Sequence, residues 1–163
     1  MEPQDKVSFM TSLLRALNLT KLIIVSPSAS GAYSMPFVIQ HQRYLSGFVA
    51  VEACCSDGYE WVNFEVPTVI IYGGASAALS SNNSSELTKI PENNLVIIPD
   101  APHAVYTKKP IEFMTVLNYS ADAAINAVCL VQSFLLSKSV GPIADVYREI
   151  VPCEGCTLKI LSP

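Results

Sequence analysis

Four short apolar runs set the frame for everything else in this chain: Leu22–Val25, Gly47–Val51, Thr68–Tyr72 and Leu95–Ile98. Each is too short for a stable helix and most are rich in β-branched residues, so each reads as a buried strand. The segments around them carry a different period. Val7, Met10, Leu13, Leu14 and Leu17 recur at helical spacing behind Asp5, a candidate N-cap, and a second helix is expected from about Gly31 to Gln42. Cys54 to Phe64 has no clear pattern, a short helix is expected around Glu86 to Lys89, and Pro110 opens a further helix through Ile111, Met114, Val116 and Leu117. Continuous apolar strands alternating with helices specify an α/β fold: a parallel sheet of about four strands with helices on both faces. Right-handed crossovers then bring every strand's C-terminal end to one rim. Ser28, Asp57, the Gly74–Ser76 loop and His103 each follow a strand end, so they are expected to converge where open α/β sheets bind ligands.

The first of those strand ends has the most specific chemistry. Leu22–Val25 runs directly into Ser26-Pro27-Ser28-Ala29-Ser30-Gly31, and helical spacing resumes at Ala32, Met35, Phe37 and Val38. A strand that turns sharply through small residues into a helix is the setting of a nucleophile elbow, where a serine hydroxyl is pushed out beyond the sheet. The usual pattern has glycines two positions either side of the serine, because those residues crowd each other. Around Ser28 the positions are held by Ser26 and Ser30, which are also small; one step on, Ser28 and Ala32 flank Ser30 equally well. The pattern leaves Ser28 and Ser30 both open, and a serine-rich turn also suits a plain helix N-cap.

Composition excludes several classes of partner. The chain has 163 residues, the size of one domain, and half of them are hydrophobic. Its net charge is −4 and it has no Lys/Arg run, so no nucleic-acid footprint is expected. Met1 to Met10 lacks the basic and apolar regions of a signal peptide, and Ala121 to Leu136 is broken by Asp122, Asn126 and Gln132, so no membrane span is expected. Five cysteines, an odd number without framework spacing, suggest a reducing compartment and hence a cytoplasmic, and also nuclear, location. Cys153-x-x-Cys156 lacks the second pair of a zinc site and does not follow a strand. No metal and no organic cofactor is expected.

With the elbow and the later histidine in view, the chain resembles the α/β-hydrolase superfamily, and within it the small α/β-hydrolase domain-containing protein 14 group. The residues that carry the likeness are Val25 to Phe37, Gly47-Phe48-Val49, Pro67 to Gly73, Ala101 to Tyr106 and Lys108-Lys109-Pro110, within a region from about Val7 to Asn118. The resemblance implies Ser28 as the nucleophile and His103 as the base, and it leaves the Ala29 N–H as one oxyanion donor. It implies a serine hydrolase acting on small acyl esters or acyl-amides, with acyl transfer or lysine deacylation as variants.

The chain departs from that pattern in three places. The turn after the third strand, where the group places its catalytic acid, reads Gly74-Ala75-Ser76 and holds no carboxylate. Asp57, after the preceding strand, is the candidate acid, reaching the histidine from the neighbouring strand end; Asp100 is read as capping its own turn. The strands and the His-Gly segment that precede the elbow in the group, with the second oxyanion donor, are not found, so Leu22–Val25 is expected at an exposed edge of the sheet. Tyr119 to Pro163 matches nothing in the group, although Ala124 to Leu135 has the spacing of an apolar helix. The expectation is a partial hydrolase domain over 1–118 with an unrelated tail over 119–163, its catalysis impaired. Trp61, Tyr59 and Phe64 are read as pocket lining or as core, and His41 as an exposed helix-end residue. The alternative function is a non-catalytic module that binds a protein partner through the apolar edge or the tail.

Overall fold

The computed structural model describes residues 3–124. Helix α1 (Pro3–Ala16) leads to strand β1 (Leu22–Pro27), and a 3-10 turn over Ser28–Ser30 leads into helix α2 (Gly31–Gln40). Strand β2 (Leu45–Val51) is followed by the irregular stretch that the sequence suggests, then by β3 (Thr68–Gly73), helix α3 (Asn82–Leu87), β4 (Asn93–Ile98) and helices α4 (Val105–Lys108) and α5 (Pro110–Ala124). The four strands pair in the order β1-β2-β3-β4, all parallel. The expected α/β class and four-stranded parallel sheet are what is observed, and β1 stands at one margin of the described sheet.

Alternate residues of β1, β2 and β3 feed two cores, while β4 adds Ile98 and leaves Leu95 and Ile97 exposed. On one face Phe48, Ala50, Ile70 and Tyr72 pack with Val7 of α1, with Met35, Phe37 and Val38 of α2, and with Leu87 and Ile90. On the other, Val49, Val51, Ile71 and Ile98 pack with Val105, Phe113 and Leu117. Helices therefore lie on both faces, which is why β2 and β3 carry apolar residues on both sides. Trp61 and Phe64 are core: both are buried, and they meet edge to face with ring centroids 5.4 Å apart.

Local differences from the sequence reading have local causes. Helix α1 already runs at Pro3, so Asp5 lies in its first turn, where a carboxylate faces the positive end of the helix dipole. Helix α3 starts at Asn82 because Ser81 caps it, its Oγ accepting from the Ser84 N–H at 3.4 Å. Helix α5 continues past residue 118, the expected domain boundary. The expected tail helix beyond Ala124 and the Cys153/Cys156 pair lie outside the described residues.

His41 follows α2 but is half-buried where an exposed residue was expected, because it stacks between Phe37 and Tyr44, with centroids 4.9 and 5.9 Å away. Thr11 spends its one hydroxyl proton on the Val7 carbonyl at 2.8 Å, so its contact with His41 Nε2 at 3.4 Å requires the proton on that nitrogen. Nδ1 is then a bare acceptor, buried without a partner. Burial, and after it the nearby Arg43 and Arg15, hold the His41 pKa below its ordinary 6.5. As pH falls below that value the unfolded chain takes up a proton that the folded chain refuses, so stability declines with acidification. Melting temperature is expected to fall between about pH 7.5 and about pH 5.5, and to fall less in His41→Phe, which keeps the stack and loses the titration.

Candidate active site

The chain leaves β1 at Pro27 in extended conformation and enters the 3-10 turn at Ser28 with φ +46. A positive φ at a residue with a side chain costs on the order of 1–3 kcal/mol, and it persists only where the surroundings enforce it. Here several contacts do. The Cys54 N–H donates to the Ser28 carbonyl at 3.0 Å, and Ser30 Oγ donates to the Pro27 carbonyl at 2.7 Å. Gly31 opens α2 so close to the next strand end that a Cβ would lie 2.2 Å from the Cys54 carbonyl oxygen, so only glycine fits.

The serines in the glycine positions have their own arrangement. Ser26 Oγ lies 3.1 Å from Ser30 Oγ and 2.6 Å from Ser34 Oγ. Because Ser30 has already committed its proton to Pro27, Ser26 must donate to Ser30 and Ser34 to Ser26. The three hydroxyls form one directed chain, and each bond in such a chain polarises the next. Ser30 is thereby occupied, while the Ser28 hydroxyl faces outward to His103.

His103 sits in the loop after β4, between two residues of positive φ, Asp100 at 55° and Ala104 at 61°. Its Nε2 lies 3.1 Å from Ser28 Oγ, within reach for proton transfer. The structure brings together the two groups that the resemblance pairs, across one rim of the sheet. On the other side of the ring, Nδ1 is hydrogen-bonded to Glu52 Oε2.

Glu52 is the residue the sequence reading missed, and it stands where Asp57 was expected. It is the first residue after β2, at φ +49, and its side chain is only 1 % exposed. A carboxylate so buried needs a donor for each oxygen. It has them: Oε2 takes the imidazole N–H, and Oε1 accepts from the Gly73 N–H at 2.8 Å. A Cβ at Gly73 would approach the Ala101 carbonyl oxygen to 2.3 Å, so a second glycine holds this junction closed. Asp57 lies farther along, exposed in the turn that it forms with Gly58, and its charge acts on Cys55. The left-handed residue at Glu52 turns the chain's first carboxylate inward, and by Asp57 the chain has moved out to solvent. The signal was present as a lone acid directly after an apolar strand, the position from which parallel sheets present functional side chains. Ser76, in the turn that lacks an acid, caps a 3-10 turn by accepting from the Ala78 N–H at 3.2 Å.

Among the described residues no cluster of three or more His, Cys, Asp or Glu side chains could hold a metal, and no helix is long and apolar enough to cross a membrane. The described site brings together three side chains and one backbone turn: a hydroxyl, an imidazole, a carboxylate, and the Ala29 N–H next to the serine.

No protein-family model matches the chain. Among curated proteins it is 32% identical over 111 residues to ABHD14B of Rattus norvegicus, a proposed protein-lysine deacylase, covering 66% of this chain and 52% of that protein. It is 33% identical over 113 residues to ABHD14A of Danio rerio, covering 68% and 42%. The chain thus spans about half the length of the curated relatives it matches. Among solved structures it superposes on a CIB-like hydrolase from Thermoplasma acidophilum with TM-score 0.64 and 20% identity, covering 71% of this chain and 57% of that one. It also superposes on a thermophilic esterase from Thermogutta terrifontis with TM-score 0.60 and 13% identity, covering 71% and 70%.

Proposed function

We propose that this chain, which has the α/β-hydrolase fold and is related to the ABHD14 proteins, is a serine hydrolase of small acyl esters and acyl-amides, with Ser28 as nucleophile, His103 as base and Glu52 as the acid. The observation that carries the reading is the unbroken line from Ser28 Oγ through both nitrogens of His103 to a buried carboxylate. A helix cap needs no imidazole, and a loop histidine needs no buried Glu.

Each part has a role that its position suits. Glu52 accepts from Nδ1–H, which leaves Nε2 free to receive a proton from Ser28. Ser28 attacks the acyl carbonyl as Nε2 takes that proton, and the Ala29 N–H, directly after the nucleophile, meets the developing oxyanion. Nε2 then returns the proton to the leaving alcohol or amine. Water, activated by the same nitrogen, releases the acyl group from Ser28. An oxyanion donor of this kind is worth ~10²–10³ in rate. Similarity to ABHD14B favours acyl-lysine among the amides, with a protein as the acyl carrier. The odd cysteine count favours a reducing location, the cytoplasm or nucleus.

Turnover of a short-chain p-nitrophenyl ester and of an acyl-lysine peptide by the full chain tests the reading. Both are expected above background, and Ser30→Ala, which removes one of the contacts holding the turn but not the nucleophile, is expected to lower turnover without abolishing it. Folded protein that turns over neither substrate would favour the alternative, a module that binds a protein partner without catalysis.

A further inference from the structure

Two residues beyond Glu52 the chain carries adjacent thiols, Cys54 and Cys55, which the hydrolase reading does not use. Cys55 is exposed and Cys54 half-buried, and neither is in a disulfide. The two are consecutive in the chain, and Cys55 holds the left-handed conformation at φ +66. The peptide of Cys54 is tied to the elbow at both ends: its N–H donates to the Ser28 carbonyl, and its carbonyl oxygen fills the space a side chain at Gly31 would need.

We propose that Cys54 and Cys55 form a dithiol site that small disulfide oxidants convert to a vicinal disulfide, and that closing this ring loosens the backbone holding Ser28. The exposed Cys55 sulfur, as thiolate, attacks one sulfur of a disulfide such as oxidised glutathione, forming a mixed disulfide and expelling one glutathione thiolate. Cys54, the adjacent residue in the chain, attacks the Cys55 sulfur as thiolate, closes the ring and expels the second. The pair loses two protons and two electrons, and the oxidant leaves as two thiols.

Consecutive Cα atoms stand about 3.8 Å apart across a trans peptide, whereas ordinary disulfides span about 4.4 Å or more. The ring is therefore strained and easily reduced, the property of a reversible disulfide rather than a structural one. Strain in this ring falls on the Cys54–Cys55 peptide, and so on the contacts of Cys54 with Ser28 and Gly31. The hydrogen bond to Cys54, and then burial, push the Cys55 thiol up to about 11, so the first step accelerates as pH rises through the neutral range.

The full chain incubated with oxidised glutathione and then mapped by peptide mass tests this, since the peptide separates Cys54 and Cys55 from Cys129, Cys153 and Cys156. The peptide holding both thiols is expected to lose the mass of two hydrogens, reversibly with dithiothreitol. Cys54→Ser is expected to keep glutathione on Cys55, having nothing to displace it. A wild-type peptide that keeps glutathione, or does not react, overturns the site. Hydrogen exchange at the Cys54 amide, which Ser28 holds, is expected to accelerate about tenfold in the oxidised protein; unchanged exchange overturns the link to the elbow. Both readouts stand apart from catalysis. A chain that oxidises as described but hydrolyses nothing counts against the hydrolase reading alone.

Discussion

Glu52→Gln is expected to lower kcat/KM for ester hydrolysis about 10⁴-fold, or about 5 kcal/mol, with the fold intact. The reason lies in the two donors that Glu52 satisfies. A carboxylate can accept from the Gly73 N–H and from His103 Nδ1–H together. A carboxamide has one oxygen. If that oxygen faces Gly73, its NH₂ faces Nδ1, which must then give up its proton. The imidazole carries its proton on Nε2 instead, directed at Ser28, and cannot act as a base. If the amide flips, its NH₂ meets the Gly73 N–H and a buried donor is left unpaired, at a cost of about 1–3 kcal/mol. The first arrangement is the cheaper, so the variant folds with the wrong tautomer. Asp57→Asn supplies the contrast: that side chain is exposed, and the described partners of the imidazole are Ser28 and Glu52, so its effect is expected within a few-fold. A profile in which Asp57→Asn is the damaging change and Glu52→Gln is silent would assign the acid to the wrong residue here.

Ser28→Ala and His103→Ala are each expected to reduce turnover to background, by up to about 10⁶-fold in a fully competent site, and the double variant is expected to be no worse than either. The two act as one unit, since a serine without its base is a poor nucleophile and the base without the serine has nothing to deprotonate. Two independent contributions would multiply. Additive losses, measured as kcat/KM on one ester for the wild type and the three variants, would therefore contradict the 3.1 Å contact as the working element of the site.

The parts of this arrangement legible in the sequence are those with a strong local signature. Four apolar runs bounded by small or polar residues gave the strands to within a few residues, and parallel pairing gave the common rim. Ser26 and Ser30 are small enough to mark the elbow without glycines. The choice between Ser28 and Ser30 was not local, because it depends on where the Ser30 proton goes. Glu52 was hidden for a related reason. Read along the chain, it merely ends β2; only the positive φ there, with the Gly73 N–H and His103 closing over it, turns the side chain into the site. Long-range pairing of this kind leaves little trace in the spacing of one segment. Helix α3 was displaced by a capping serine within a run of polar residues, where any of several could have served. The four-residue helix α4 was not anticipated at all, being short and led by a left-handed Ala104.

Hydrolysis by this site requires an activated hydroxyl at one named position, Ser28, and covalent labelling reads that directly. The folded full chain treated with a fluorophosphonate and mapped by peptide mass is expected to carry one adduct, on Ser28, formed far more slowly in Glu52→Gln and absent in Ser28→Ala. Folded protein that takes up no fluorophosphonate, or takes it up on Ser30, would contradict the hydrolase reading.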